Sequence, residues 1–305
     1  MEKIVVLENN FLYVEINPNF GGSILNFSYK KNNSKISIFR KTPKKIKNNN
    51  IKNILATSYF PLIPYSGRIK KGLLRFKKKT FKLNACPILQ EENSVHGDGW
   101  KNPWEIKKIK QKSIVMQLNT KNKNWPFKYS GVQTISIVKN ILKISLELKN
   151  IDNQSMPCGL GFHPFFDMTP NVTLQMKAKK NWLVNKNFLF KKKLNILPRV
   201  DFRNKKKLFN TNLVNGFSEW DGFAKIIWPE KKISLEINSS KNLKHLVVFT
   251  PTKSNFFCIE PVSHSVDSFN LHNKGIKGTG TKILKPKKTL KVFTTFKINF
   301  NQSTM

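Results

Sequence analysis

The chain has 305 residues and a formal net charge of +38, from 55 Lys and Arg against 17 Asp and Glu. An apolar share of 39%, with 24 Phe, excludes a disordered chain. The charge invites nucleic acid or an anionic membrane as partner, but the Lys residues run evenly from Lys3 to Lys297 and Arg stands only at Arg40, Arg68, Arg75, Arg199 and Arg203.

Lys, Asn, Ile and Phe are together the residues of A- and T-rich codons, so genome composition accounts for the charge. No specific nucleic-acid partner is expected. Cys86, Cys158 and Cys258 have no short spacing, which gives neither a disulfide framework nor a metal-binding CxxC pair. Reduced, buried thiols in a cytoplasmic protein are expected. The N-terminus is acidic where a signal peptide would be apolar, and no apolar run reaches membrane-spanning length.

Asn10 to Asn17 reads as a short strand, and Phe20-Gly21-Gly22 as a turn into a second strand, Ser23–Tyr29. Lys41 to Asn53 is a Lys/Asn run without periodicity and reads as a solvated loop. Tyr59 to Ile69 holds Pro61 and Pro64, which rule out a helix interior or a central strand. It reads as an apolar loop that delivers Ser66-Gly67-Arg68. Ser113–Leu118 and Gly131–Val138 are strand-like. Leu142–Leu148 is the clearest strand, with Leu142, Ile144, Leu146 and Leu148 on one face. Lys232–Ile237, Leu246–Thr250, Phe256–Ile259 and Thr289–Ile298 follow. No long segment has a helical period. Many short strands with Pro/Gly turns predict one all-β domain over residues 1–305, a large antiparallel β-sandwich.

Five stretches set a polar group in rigid apolar surroundings. The first is Ser66-Gly67-Arg68-Ile69, whose guanidinium offers forked donors to hydroxyls or carboxylates. The second is His96-Gly97-Asp98-Gly99-Trp100 with Pro103-Trp104, where indoles could stack on sugar faces. In the third, Gly161-Phe162-His163-Pro164-Phe165-Phe166, an imidazole sits among aromatic rings and can exchange a proton near neutral pH. The fourth, Trp220-Asp221-Gly222, is first of all a turn signal. In the fifth, Phe257-Cys258-Ile259-Glu260-Pro261-Val262-Ser263-His264, a carboxylate ends an apolar strand, where it is costly unless paired or functional. His96 and Asp98 lack further ligands at metal spacing, so no metal is expected.

Taken together, in this order, these stretches resemble the aldose 1-epimerase (galactose mutarotase) family, from about Phe20 to the C-terminal strand. The resemblance implies a large antiparallel β-sandwich and anomer interconversion without metal or organic cofactor. It implies His163 as general acid, Glu260 as general base, and Arg68 and His96 as sugar-binding residues. Asp221 matches the family's later sugar-binding Asp. The chain departs from the family at Gly67, often Asn there, and at Pro286-Lys287, where a Pro-Gly turn is usual. The expected partner is a small-molecule sugar, bound by a monomer or homodimer. The motifs fit a free aldohexose such as glucose or galactose best; competing readings are a hexose 6-phosphate mutarotase, suggested by the positive charge, a non-catalytic sugar-binding protein on the same fold, and a nucleic-acid binder resting on charge alone.

Overall fold

A computed structural model describes residues 4–32, 34–43, 51–118 and 124–300. Most of the Lys41–Asn53 loop lies outside that set. Its end is a short 3-10 helix, Ile51–Ala56, with Ile54 fully buried.

Strands dominate, as the alternating pattern predicts. The first sheet has eleven strands. Its path runs Val5–Glu8, Leu12–Asn17, Ser23–Lys31, Tyr59–Leu62, Gly161–Asp167, Phe256–Val262, His245–Phe249, Val214–Ser218, Lys180–Val184 and Phe190–Asn195, with Ser34–Ser37 added beside Ser23–Lys31. The second sheet has nine strands and centres on Tyr129–Val138, Ile141–Asn150 and Thr289–Phe300. Neighbours pair antiparallel. Among the described residues one short α-helix, Ser268–Asn273, interrupts this architecture.

The two sheets pack face to face. Leu142, Ile144, Leu146 and Leu148 are fully buried, and join Phe162, Phe166, Phe257 and Ile259 of the first sheet in one apolar core. Aromatic edges bind the layers, as where Phe39 meets Phe296 at 5.2 Å between centroids. A second, smaller apolar cluster lies on the outer face of the eleven-stranded sheet: Phe60, Leu62, Trp100, Phe165, Cys258 and Val262. That outer face positions the candidate site. All three cysteines are free and buried.

One expectation is corrected. Tyr59–Leu62 is a strand inside the large sheet despite Pro61. It pairs along its length with Gly161–Asp167, but with Ser23–Lys31 only at Ile24–Tyr59. Past Tyr59 one edge has no ladder to maintain, so a proline without an N–H is tolerated. At the other departure from the family pattern, Lys287 takes the left-handed φ of 62° that glycine would favour.

Candidate active site

The outer face of the large sheet lines a cavity of about 540 Å³. Strand register decides what it contains. Gly161 pairs with Val262, and Phe165 with Cys258. The same register sets His163 across from Glu260. His163 also faces Phe60, and Glu260 faces Val247, on the two flanking strands. Side chains alternate along a strand, so Phe162, Phe257 and Ile259 turn to the inter-sheet core while His163, Cys258 and Glu260 turn outward.

His163 Nε2 lies 3.5 Å from Glu260 Oε1. That is longer than a hydrogen bond. Phe165 stacks on the imidazole at 4.6 Å and Phe60 tilts against it at 4.5 Å. Residual exposure is 8% for His163 and 5% for Glu260. Burial disfavours the charged form of both. It pushes the Glu260 carboxyl up to about 8 and the His163 imidazole down to about 3, where the Arg40 charge adds to the effect. The Arg68 charge draws Glu260 part of the way back. Burial therefore favours the uncharged form of each partner, a carboxylic acid facing a neutral imidazole, although the distance falls within ion-pair range.

Loops bring in the remaining polar groups. His96 takes a φ of 59°, and its Nδ1 accepts the Gly67 N–H at 3.0 Å. That bond leaves Nε2 as the protonated nitrogen of a neutral ring. Burial, with the His163 charge next, holds His96 well below the usual imidazole value. Its ring meets His163 edge-on at 5.3 Å. The next residue must be glycine: at a φ of 71°, a Cβ on Gly97 would sit 2.3 Å from the Ile63 carbonyl oxygen.

Arg68 projects from the same loop system. Its Nε donates to both Glu91 carboxylate oxygens, at 3.0 and 2.7 Å, and its Nη2 to one of them at 2.5 Å. Phe188 lies against the guanidinium at 4.3 Å. His264 holds the loop from behind: its Nε2 accepts the Ser66 N–H at 3.2 Å. Among the described residues, buried side-chain atoms without a hydrogen-bond partner concentrate on cavity-lining residues: Arg40 Nε, His163 Nδ1, Asn215 Nδ2, His245 Nδ1 and Ser265 Oγ. Buried polar groups are usually bonded, so this concentration fits a cavity built for a polar ligand.

Four of the five expected site residues, His163, Glu260, Arg68 and His96, thus line one cavity. Asp221 does not. It is exposed, and its Oδ1 accepts the Phe223 N–H at 3.0 Å, which makes it part of the turn its Asp-Gly sequence predicts. Asp98 is also elsewhere, buried and accepting the Tyr129 hydroxyl at 3.1 Å. Trp100 and Trp104 are not sugar platforms either. Both are fully enclosed, and their indole N–H groups bond to the carbonyls of Val95 and Gly99. Trp182 lines the cavity but is equally enclosed, with its N–H bonded to Ser218 Oγ at 2.8 Å. Arg40, Glu91 and Asn215 were not singled out from the sequence. For Glu91 a signal existed: Glu91-Glu92 is an acidic pair in a chain with few acids.

One trio could ligate a metal. His163, Cys258 and Glu260 offer atoms all within 4.8 Å of one another. Burial keeps the Cys258 thiol well above its ordinary value, hence protonated, and a thiol is a poor ligand until it ionises.

The family model for aldose 1-epimerase matches residues 3–297. The chain is 24% identical over 218 residues to the uncharacterized protein YphB of Escherichia coli K12, covering 69% of this chain and 74% of that one. A crystal structure from Escherichia coli K12 superposes with a TM-score of 0.86 at 21% identity, over 98% of this chain and 100% of that chain. A galactose mutarotase-like protein from Clostridium acetobutylicum gives 0.83 at 20%, over 98% and 96%. These identities speak for the fold. No helix among the described residues is long and apolar enough to cross a membrane.

Proposed function

The chain belongs to the aldose 1-epimerase family, and from that premise we propose that it interconverts the α- and β-anomers of a free aldohexose such as glucose or galactose. The observation that supports this most is the cross-strand pair, one carboxyl facing one imidazole at 3.5 Å in a cavity with other donors around it. Anomerisation needs two proton transfers at neighbouring oxygens, O1 and the ring oxygen, and a pair at this separation can serve both.

In the proposed cycle Glu260 as carboxylate takes the proton from O1. The bond between C1 and the ring oxygen breaks, and that oxygen takes a proton from His163. Rotation about C1–C2 turns the aldehyde over. The roles then reverse: the ring oxygen attacks C1 and returns its proton to His163, while Glu260 returns its proton to O1. No net proton or electron is exchanged.

Burial favours the proton on Glu260, which is the arrangement that follows ring opening. For the cycle to start, that proton must pass to His163. Sugar hydroxyls donating to Glu260, together with the Arg68 charge, favour the carboxylate, and contacts that are long in an empty site commonly tighten around substrate. Arg68, its Nε and Nη2 aligned by Glu91, holds the sugar with its remaining N–H groups, and His96 holds it as a neutral N–H donor.

The test follows optical rotation of fresh α-D-glucose and α-D-galactose in EDTA. Acceleration over the buffer blank is expected. Rates equal to the blank for every sugar tried would remove the reading.

A further inference from the structure

Two paired strands bring three ligand-type side chains together on their outward faces. Register sets His163 opposite Glu260. Cys258 stands two residues before Glu260, on the same face of its strand. One ligand atom from each lies within 4.8 Å of the other two. Proton exchange uses the imidazole and the carboxylate, and the thiol has no part in it.

The distances suit a small tetrahedral ion. Two N or O ligands at about 2.0–2.1 Å from Zn²⁺ stand about 3.4 Å apart, and a sulfur at about 2.3 Å stands about 3.6 Å from either. His163 Nε2 and Glu260 Oε1 are 3.5 Å apart, too far for a hydrogen bond but close to that tetrahedral edge. The sulfur has to close by about 1 Å at most, which small side-chain rotations supply. His163 and Glu260 line the cavity, so an ion can reach them from that side, and its fourth position faces water or a sugar hydroxyl. Cys258 is fully buried, so the ion meets the other two ligands first.

Ligand chemistry selects the ion. Sulfur and imidazole suit Zn²⁺ or Co²⁺, whereas Mg²⁺ and Ca²⁺ take oxygen. A thiophilic ion displaces the thiol proton and leaves the sulfur as a thiolate. The Arg40 and Arg68 charges reach this place and oppose a bare dication, but a thiolate and a carboxylate cancel both of its charges. Histidines that hold a resident zinc almost always donate their other N–H to a partner. His163 Nδ1 has no such partner. The ion therefore exchanges with solution and is not a resident cofactor.

We propose that His163, Cys258 and Glu260 form an inhibitory site for a thiophilic divalent cation such as Zn²⁺. The bound ion occupies the His163 nitrogen and the Glu260 oxygen between which the proton must move. The thiol proton, with the carboxyl proton where Glu260 holds one, leaves to solvent. The inhibition rests on the ring-opening reading above; the binding does not.

The test is calorimetry of Zn²⁺ and Mg²⁺ with metal-free wild type, Cys258→Ala and Glu260→Gln, beside a Co²⁺ absorption titration of wild type. Zn²⁺ should bind one per chain, roughly 100-fold or more tighter than Mg²⁺. Outer partners of a metal ligand are worth about 10- to 100-fold in affinity, so losing a direct ligand in either variant should weaken Zn²⁺ by about 100-fold. Glu260→Gln keeps the shape of its side chain and decides the point if Cys258→Ala does not fold. Co²⁺ should give a thiolate charge-transfer band that Zn²⁺ abolishes, a readout that needs no variant. Equal binding of Zn²⁺ and Mg²⁺ would overturn the site. So would a cobalt complex without the thiolate band, or a folded variant whose Zn²⁺ affinity stays within about twofold of wild type. Zn²⁺ should also slow anomer exchange in step with its occupancy, and EDTA should restore the rate. Unchanged exchange at saturating Zn²⁺ would overturn the inhibitory role. If no sugar is exchanged even in EDTA, the ring-opening reading fails and takes the inhibition with it, while calorimetry and the cobalt band still decide the ion site.

Discussion

The strands Gly161–Asp167 and Phe256–Val262 have two faces with opposite tasks. Phe162, Phe166, Phe257 and Ile259 point into the space between the sheets and belong to the main apolar core. His163 and Glu260, each adjacent in sequence to one of these, point outward and are nearly as buried. The inner face gains stability by removing apolar surface from water. The outer face uses the same dryness to shift two proton affinities towards each other's range. Burial alone therefore does not separate core from site. The difference lies in what is buried and in whether it is bonded.

The sharpest way to break this division is to mutate neighbours. Phe162→Ala should cost about 3–5 kcal/mol in chemical denaturation, while activity per folded molecule changes far less. His163→Asn should do the reverse. Similar losses of stability and activity in both variants would mean that the two faces are not distinct.

The pH profile sharpens the outer face. The pair works with one shared proton, so kcat/KM should hold across neutral pH and fall about tenfold per unit above a value near 8, where Glu260 loses its proton. Its acid limb should lie well below the ordinary imidazole range, since His163 is held at about 3. An acid limb near pH 6.5 would contradict the shared-proton description.

Sugar-holding residues should show smaller effects. Arg68→Met should raise KM by roughly 10-fold, the scale of a lost charged hydrogen bond, with less change in kcat. Glu91→Gln should also raise KM, because Arg68 loses the carboxylate that aligns its fork. A fall in kcat with unchanged KM in either variant would place that residue in the chemical step instead.

Stability against pH separates the faces more finely. The Glu260 value in the folded protein, about 8, lies above its ordinary 4.5. Its stabilising contribution is complete below pH 4.5 and is lost as pH rises towards 8. For His163, at about 3 against 6.5, the contribution is present above pH 6.5 and is lost as pH falls through 3. The two slopes oppose each other between 4.5 and 6.5, and above 6.5 only the Glu260 loss remains. Melting of Glu260→Gln relative to wild type should therefore improve by a few degrees between pH 6 and 8.5, at roughly 2–4 °C per kcal/mol. Phe257→Leu should show no such pH dependence. At the bottom of the scale, Asp221→Ala should leave kcat/KM within about twofold, as expected for an exposed turn residue. A larger loss would return Asp221 to the site.

These contrasts also show how much could be read from the sequence. The alternation in Phe162-His163 and in Ile259-Glu260 was visible, and so was the apolar setting that makes a histidine or a glutamate unusual. Strand register was not visible, and register is what sets His163 opposite Glu260. Arg40 gave no signal because its neighbours are loop residues and its aromatic partners come from two distant strands. Asp221 was placed by resemblance, while its own Asp-Gly turn chemistry argued for the position it takes. Trp100 and Trp104 were read as ligand surfaces when their N–H groups were needed to fix the loop that carries His96.

The central claim is that His163 and Glu260 act as one proton-exchanging unit. Its most direct test is the anomer exchange rate of Glu260→Gln, His163→Asn and the double variant, each checked for folding by circular dichroism. Each single variant should lower kcat by roughly 10²- to 10⁴-fold. The double variant should lose little more than the worse single one, because either loss already disables the same ring-opening event. A folded Glu260→Gln with near-normal kcat, or a double variant whose loss equals the product of the two, would contradict the account.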